Sequence, residues 1–201
     1  MFVGIEKIIS EALDEYQVFG FIGSKGSQDT KYNDSNLKEL KADGISYIAN
    51  GIGNIEETKD ETIKLLNKYL NYGFKFPTIV HPSAVVSKSS SLGMGVMVME
   101  NAVIKTKAEV GKFCVINALA VVSHGCSVGD YSHLSLGSKI GGDVKIGSNV
   151  FLGINSSVNQ KIKIESKSVI GSGSVIINNV INNSVVVGNP GKIIKVRSNE
   201  N

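Results

Sequence analysis

Residues 81–176 read HPSAVV SKSSSL GMGVMV MENAVI KTKAEV GKFCVI NALAVV SHGCSV GDYSHL SLGSKI GGDVKI GSNVFL GINSSV NQKIKI ESKSVI GSGSVI when they are cut into sixes from His81. All 16 of these blocks end in Val, Ile or Leu. These residue types make up 57 of the 201 residues, so random placement would produce the pattern about once in a billion trials. The fourth place holds Ala, Ser, Cys or Val in every block except the one with Ile162. A six-residue repeat therefore decides the fold of this region.

The period of six predicts a prism in which each block is a short strand followed by a corner. The last aliphatic side chain of each block is expected to point inward, as is the small fourth residue, because the interior is narrow. Glycine and asparagine at the block starts are expected to supply the positive φ that tight corners need. Three blocks make a coil of 18 residues, so the repeat gives a little over five coils. An α-helix is excluded because this period matches no helical face.

The composition agrees with one small domain joined to a repeat array. The chain has 42% hydrophobic and 19% charged residues, and no apolar run approaches the roughly 18 residues of a membrane span. The N-terminus MFVGIEKIIS lacks the basic-then-apolar pattern of a secretion signal. Cys114 and Cys126 both occupy fourth places, and we interpret them as small core residues. Two cysteines cannot staple a domain of this size, which favours a reduced, cytoplasmic protein.

The charge is distributed unevenly along the chain. Residues 1–77 contain 9 Lys and 12 Asp or Glu, a net −3, whereas residues 78–201 contain 12 Lys or Arg and 6 Asp or Glu, a net +6. The basic second half indicates an anionic partner. Its lysines are scattered and are not interleaved with aromatic residues, so a phosphorylated small molecule is favoured over nucleic acid.

The first 77 residues carry a different pattern, typical of a small parallel α/β domain. Ile5, Ile8, Ile9, Ala12 and Leu13 follow the spacing of an amphipathic helix. A strand is predicted over 18–22, another over 45–49 with Gly51 and Gly53 after it, and a helix from Ile55 to Leu70 whose buried side holds Ile63, Leu66 and Leu70. The predicted domains are therefore 1–77 and 78–201.

The hexapeptide pattern resembles the left-handed parallel β-helix of the hexapeptide-repeat acyltransferase superfamily. The α/β unit, the TIVHPSAVV entry at 78–86 and the GNPGK ending at 188–192 extend the likeness to nearly the whole chain. Together they resemble the sugar O- or N-acetyltransferases of the sialic-acid and bacillosamine (UDP-4-amino-sugar) family. The resemblance implies a homotrimer with active sites at subunit interfaces, an N-terminal domain that binds a nucleotide sugar, and acetyl-CoA bound between coils of neighbouring subunits. The implied reaction is N-acetylation of a 4-amino group in surface glycan biosynthesis.

His124 is the natural general base, because the second place of its block lets the side chain face outward. His133 lies nine residues later, half a coil away, so adjacent subunits are needed to bring the two histidines to one cleft. The family comparison gives His133 a contact with the acyl carbonyl or thioester of the cofactor, and Asn117 a contact with the acceptor sugar. It also implies that Gly142 and Gly173 line the pantetheine.

Two features depart from the family pattern. Family members begin with a strand and a Gly-rich loop, whereas this chain begins at the helix, so we expect its Rossmann-like unit to lack the first strand. Gly51 and Gly53 are then candidate contacts of the nucleotide, or form a simple turn between strand and helix. The second departure is Gly125, because in close relatives an acidic residue directly follows the catalytic histidine. Asp130 and Glu100 are possible substitutes.

Three alternatives remain open at the level of sequence. An O-acetyltransferase acting on sialic acid or a related sugar needs the same machinery. A zinc-dependent carbonic anhydrase needs three convergent histidines, but His81 is about two coils from His124, and no metal is expected. A non-catalytic scaffold that binds a nucleotide sugar or CoA agrees with the short start and with Gly125. The sequence does not specify the sugar, the nucleotide or the acylated atom.

Overall fold

The computed structural model describes residues 22–23, 32–33, 36–50 and 59–198. Two short parallel strands, β1 (Ile22–Gly23) and β2 (Tyr32–Asn33), precede helices α1 (Leu37–Ala42) and α2 (Lys59–Asn71). Seventeen two-residue strands then follow at intervals of six: β3 Ile79–Val80, β4 Val85–Val86, β5 Ser91–Leu92, β6 Met97–Val98, β7 Val103–Ile104, β8 Glu109–Val110, β9 Val115–Ile116, β10 Val121–Val122, β11 Ser127–Val128, β12 His133–Leu134, β13 Lys139–Ile140, β14 Lys145–Ile146, β15 Phe151–Leu152, β16 Ser157–Val158, β17 Lys163–Ile164, β18 Val169–Ile170 and β19 Val175–Ile176. A hairpin of β20 (Ser184–Val187) and β21 (Lys192–Val196) follows.

The short strands form three parallel sheets that are the faces of a prism. One sheet has the order β19-β16-β13-β10-β7-β4, the second β17-β14-β11-β8-β5, and the third β21-β20-β18-β15-β12-β9-β6-β3. Val121 pairs with Val103 in the preceding coil and with Lys139 in the following one, so the coil length is the expected 18 residues. The fold is mainly β, a parallel β-solenoid of about six turns, as a left-handed β-helix of hexapeptide repeats is built. This confirms the predicted fold class.

The core of the coil contains the sixth and fourth residues of the blocks, as predicted. Leu134 and Ile164 are fully buried at sixth places, and Ala120 at a fourth place. Cys114 and Cys126 are buried free thiols in the same column. Burial raises the pKa of the Cys114 thiol to about 12 and also raises the pKa of Cys126. Both cysteines are therefore core residues, neutral at physiological pH.

The corners differ from the sequence prediction in where the positive φ lies. The left-handed residue is the third of each block, for example Phe113 (φ 55°) and Asp143 (φ 58°). The glycines that open blocks have another role, because the next coil passes directly over them. A Cβ at Gly93 would lie 2.7 Å from the backbone nitrogen of Lys112, and one at Gly141 would lie 2.7 Å from that of Gln160. These glycines permit close stacking of coils rather than an unusual backbone angle.

The N-terminal predictions fare less uniformly. The second predicted helix is observed as α2, with Leu66 buried and Ile63 and Leu70 partly buried; residues 55–58 lie outside the described part. The predicted strand over 45–49 is wrong, since only a single bridge joins Tyr47 to Lys75. Its ladder would continue through the N–H of residue 77, but Pro77 has none to donate. The predicted helix over 5–13, residues 18–21 of the first strand and Gly51–Asn54 also lie outside the described residues.

An aromatic cluster joins the helices to one edge of the coil. The Phe76 ring meets Phe113 edge-on at 5.0 Å, and Phe113 stacks on Tyr131 at 5.4 Å. Leu40 and Leu66 of the two helices belong to the same buried cluster. The helices therefore pack on a corner of the coil. Neither helix in the described part of the chain has the length and apolarity required to cross a membrane.

Candidate active site

His124 lies on an exposed corner between β10 and β11, as its place in the block predicts. Its imidazole ring rests against Gly142, the residue 18 positions later in the next coil. A Cβ at Gly142 would stand 2.6 Å from Nε2 of His124, so any other side chain would displace the ring. The structure thus brings together two of the predicted site residues, a solvent-accessible base and the glycine that seats it.

Asp143 is a residue of this corner that the sequence reasoning missed. Its backbone N–H donates to the carbonyl oxygen of His124 at 2.9 Å. Its carboxylate oxygen Oδ1 occupies the space in which a Cβ of Gly125 would stand. The signal was available, because 143 is 125 plus one coil of 18 residues. The two substitutes considered from sequence lie elsewhere, Asp130 and Glu100 each being in a different corner of the prism.

His133 lies in β12 and is buried, with its ring edge-on to Phe151 at 5.3 Å between centroids. Asn117 is its neighbour: Nδ2 of Asn117 lies 3.4 Å from Nε2 of His133. The Ala118 N–H donates to Oδ1 of Asn117 at 2.8 Å, which fixes the orientation of the amide. Since the amide nitrogen can only donate, Nε2 of His133 accepts, and the proton of a neutral ring is on Nδ1. The predicted pair of Asn117 and His133 therefore forms one hydrogen-bonded unit.

The chain does not bring every predicted residue to one place. His124 is at the corner between the six- and five-stranded sheets, whereas His133 belongs to the eight-stranded sheet. Gly173 lies at yet another corner, where its N–H donates to the Ile154 carbonyl at 2.8 Å. Gly51 and Gly53 lie outside the described residues. One protomer thus carries two separate parts of the predicted site.

His81 has a local contact at the coil entry. Its Nδ1 accepts from the Ser83 N–H at 3.1 Å and lies 2.8 Å from the Ser83 hydroxyl. Within residues 22–23, 32–33, 36–50 and 59–198, no three His, Cys, Asp or Glu side chains are grouped closely enough to hold a metal ion. The zinc alternative receives no support from this geometry.

Exposed lysines surround the His124 corner. Lys107 precedes Gly125 by one coil, and Lys161 follows Asp143 by one coil, with its N–H donating to the Gly142 carbonyl at 2.9 Å. Lys105 lies in the same stack. This concentration of positive charge on a coil corner is suited to an anionic ligand such as a phosphate-bearing substrate.

Comparison with known proteins agrees with this geometry. The pattern described as "Bacterial transferase hexapeptide (six repeats)" matches residues 143–178. The crystal structure of PerB from Caulobacter crescentus, in complex with CoA and GDP-perosamine, is 31% identical, with a TM-score of 0.79; the match covers 85% of this chain and 81% of PerB. The chain belongs to the hexapeptide-repeat sugar acetyltransferases. No curated protein matches its sequence.

Two further solved members of this hexapeptide-repeat acetyltransferase family are similar. A histidine-to-asparagine variant of perosamine N-acetyltransferase from Caulobacter crescentus, in complex with CoA and GDP-perosamine, is 32% identical, with a TM-score of 0.78 and coverage of 82% of this chain and 77% of that one. The acetyltransferase domain of PglB from Neisseria gonorrhoeae, in complex with acetyl coenzyme A, is 25% identical, with a TM-score of 0.83 and coverage of 96% and 93%. Both preserve the acetyltransferase fold over most of their length.

Proposed function

We propose that this protein is an acetyl-CoA-dependent N-acetyltransferase that acts on the 4-amino group of a nucleotide-activated sugar in surface glycan biosynthesis. The observation that carries the proposal is the 31% identity over 85% of the chain with PerB, which holds CoA and GDP-perosamine. The exposed imidazole of His124 on its glycine seat supplies a base of the type that acyl transfer requires.

His124 is the general base in this mechanism. The amine nitrogen forms a bond to the thioester carbonyl carbon and loses a proton to His124, and the carbon–sulfur bond then breaks to release the CoA thiol. His133 lies near the acyl carbonyl or thioester, where a donor stabilises the developing negative charge. Asn117 donates to Nε2 of His133, which leaves Nδ1 as the ring's donor. Asn117 also helps to hold the acceptor sugar, and Gly142 and Gly173 line the pantetheine.

The two histidines meet between subunits of a cytoplasmic homotrimer. Support comes from a ridge of apolar side chains at one corner, where Leu119, Leu136 and Ile154 are 59%, 45% and 46% exposed. These residues stack in consecutive coils, and an apolar column of this kind is suited to burial against another copy of the chain. His124 and His133, on different parts of one protomer, then face each other across the cleft.

The N-terminal domain, residues 1–77, holds the nucleotide part of the acceptor, with Gly51 and Gly53 as its contacts. Support comes from the packing of α1 and α2 on the coil through Phe76 and Phe113. That contact holds the helices against the coil domain, residues 78–201, which carries the two candidate histidines.

The test is release of free thiol from acetyl-CoA in the presence of UDP-, GDP- or dTDP-linked 4-amino sugars. Turnover with one of these acceptors establishes the class and the substrate together. Hydroxyl acceptors such as sialic acid serve as the matched comparison. Turnover only with hydroxyl acceptors would replace N-acetylation by O-acetylation, and CoA binding without turnover on any acceptor would contradict an enzymatic role.

A further inference from the structure

Two glycines at the His124 corner exchange places with side chains from the neighbouring coil. The ring of His124 fills the space over Gly142, and the carboxylate of Asp143 fills the space over Gly125. The residue pairs His124-Gly125 and Gly142-Asp143 are one coil apart, and the Asp143 N–H donates to the His124 carbonyl at 2.9 Å. Each coil therefore positions a polar side chain of the other.

We propose that Asp143 is the positioning residue that stabilises the protonated form of His124 during acetyl transfer, an inference that rests on the proposed function. When His124 takes the proton of the acceptor amine it becomes a cation in a corner that already holds lysines. A carboxylate fixed over Gly125 offsets that charge and raises the proton affinity of the imidazole. The acid is supplied from the next coil rather than from the residue that follows His124.

The charges around His124 leave this role to Asp143. The corner residues of the stack are Lys88, Lys107, Gly125, Asp143 and Lys161 and their immediate neighbours. Lys105 lies beside the corner on one side, and Glu109 and Lys145 occupy the adjoining strands β8 and β14. Among the described residues, Asp143 is the carboxylate in the corner itself, and within that part of the chain its side chain forms no hydrogen bond or ion pair.

A second carboxylate in the coil provides the contrast. Asp130 also lies over a glycine of the preceding coil, Gly111, but at a different corner. Its Oδ1 accepts from the Lys112 N–H at 2.9 Å, and its Oδ2 lies 3.8 Å from the Lys112 ammonium group. Asp130 therefore stabilises its own corner, whereas the Asp143 carboxylate is available to the imidazole one coil away.

The experiment compares acetyl transfer by wild type, Asp143→Asn, Asp130→Asn and His124→Ala across a pH range. Asp143→Asn keeps the shape of the side chain and removes its charge. We expect kcat to fall about tenfold while KM for acetyl-CoA stays within about twofold. Because the imidazolium has lost a negative neighbour, the acidic limb of kcat/KM should move to lower pH by about half a unit. Asp130→Asn should leave both the limb and kcat unchanged.

The controls separate this inference from the proposed function. Wild-type kinetics in Asp143→Asn, with an inactive His124→Ala, would overturn the role of Asp143 and leave the base intact. A lower kcat with an unmoved limb would also overturn it, since that result indicates only a structural role. A fully active His124→Ala would instead contradict the mechanism on which the inference rests. Asp143→Glu, which retains the charge, should keep the wild-type limb.

Discussion

The coil and the N-terminal helices differ in how their contacts are spaced along the chain. In the coil, each short strand pairs with residues 18 positions before and after it, as Val121 does with Val103 and Lys139. The helices instead reach the coil through Phe76, Phe113 and Tyr131, at irregular separations. A constant offset lets a local pattern specify tertiary contacts. Irregular contacts leave no such trace in the sequence.

The largest expected effect concerns the chemistry that the coil presents at its surface. His124→Ala should lower kcat by about 10²–10⁴-fold, the usual contribution of a general base, measured by thiol release from acetyl-CoA. The thermal midpoint should not change, because His124 is exposed. His81→Ala is the matched control, since that histidine only caps a turn through Ser83, and it should retain activity. Full turnover by His124→Ala would remove this residue from the mechanism.

A second prediction concerns the closed interior of the coil. The pKa of the Cys114 thiol is raised by burial from 9.0 to about 12, so native protein should resist iodoacetamide at pH 8, whereas unfolded protein reacts fully. The sign for stability follows from the same shift. Between pH 9 and 12 the unfolded thiol ionises and the folded one does not, so the free energy of unfolding falls as pH rises.

Cys114→Ala should make this alkaline loss of stability less steep, as measured by guanidinium denaturation at several pH values. Rapid alkylation of Cys114 in the native protein would show that the core of the coil opens readily. That result would contradict the packing on which the comparison with the helices depends.

The third prediction compares two equally buried residues, one in each region. Ile140→Ala in the coil and Leu66→Ala in α2 should each cost about 2–5 kcal/mol of stability through cavity formation. Hydrogen exchange should locate the damage differently. Ile140→Ala should deprotect amides in the neighbouring coils, whereas Leu66→Ala should deprotect only the helical cluster. The control is Ile194→Ala, at a residue that is 63% exposed, which should change little. Equal deprotection of the coil by both buried substitutions would remove the distinction.

The smallest effect concerns the seat of the catalytic histidine. Gly142→Ala should lower kcat about tenfold, because the new methyl group displaces the His124 ring. In a His124→Ala background the same substitution should cost nothing further, which isolates the contact from any general effect on folding. An additive loss in the double variant would show that Gly142 acts independently of the ring.

The sequence predicted most of what the offset of 18 controls. The core columns, the two buried cysteines and the outward position of His124 are as expected, because the repeat itself determines them. The same arithmetic would have found Asp143 opposite Gly125. The position of positive φ and the stacking role of the opening glycines were missed, because they depend on how closely successive coils approach.

The N-terminal predictions failed where partners decide the structure. The segment 45–49 has the composition of a strand, but its ladder stops at Pro77, which is far away in the sequence. Helix α1 is too short to give a clear periodic signal, and its position depends on burial of Leu37 and Leu40 in the aromatic cluster. The joint site of His124 and His133 is a further step, because it depends on a second copy of the chain.

The measurement that tests this shared site most directly is complementation between two inactive variants. His124→Ala and His133→Ala chains, mixed in equal amounts, unfolded and refolded together, form mixed trimers. If each site takes one histidine from each of two neighbours, about a quarter of the clefts carry both wild-type side chains, and about a quarter of wild-type thiol release returns. If both histidines serve a site within one subunit, the mixture stays inactive, and that result would contradict an active site built between subunits.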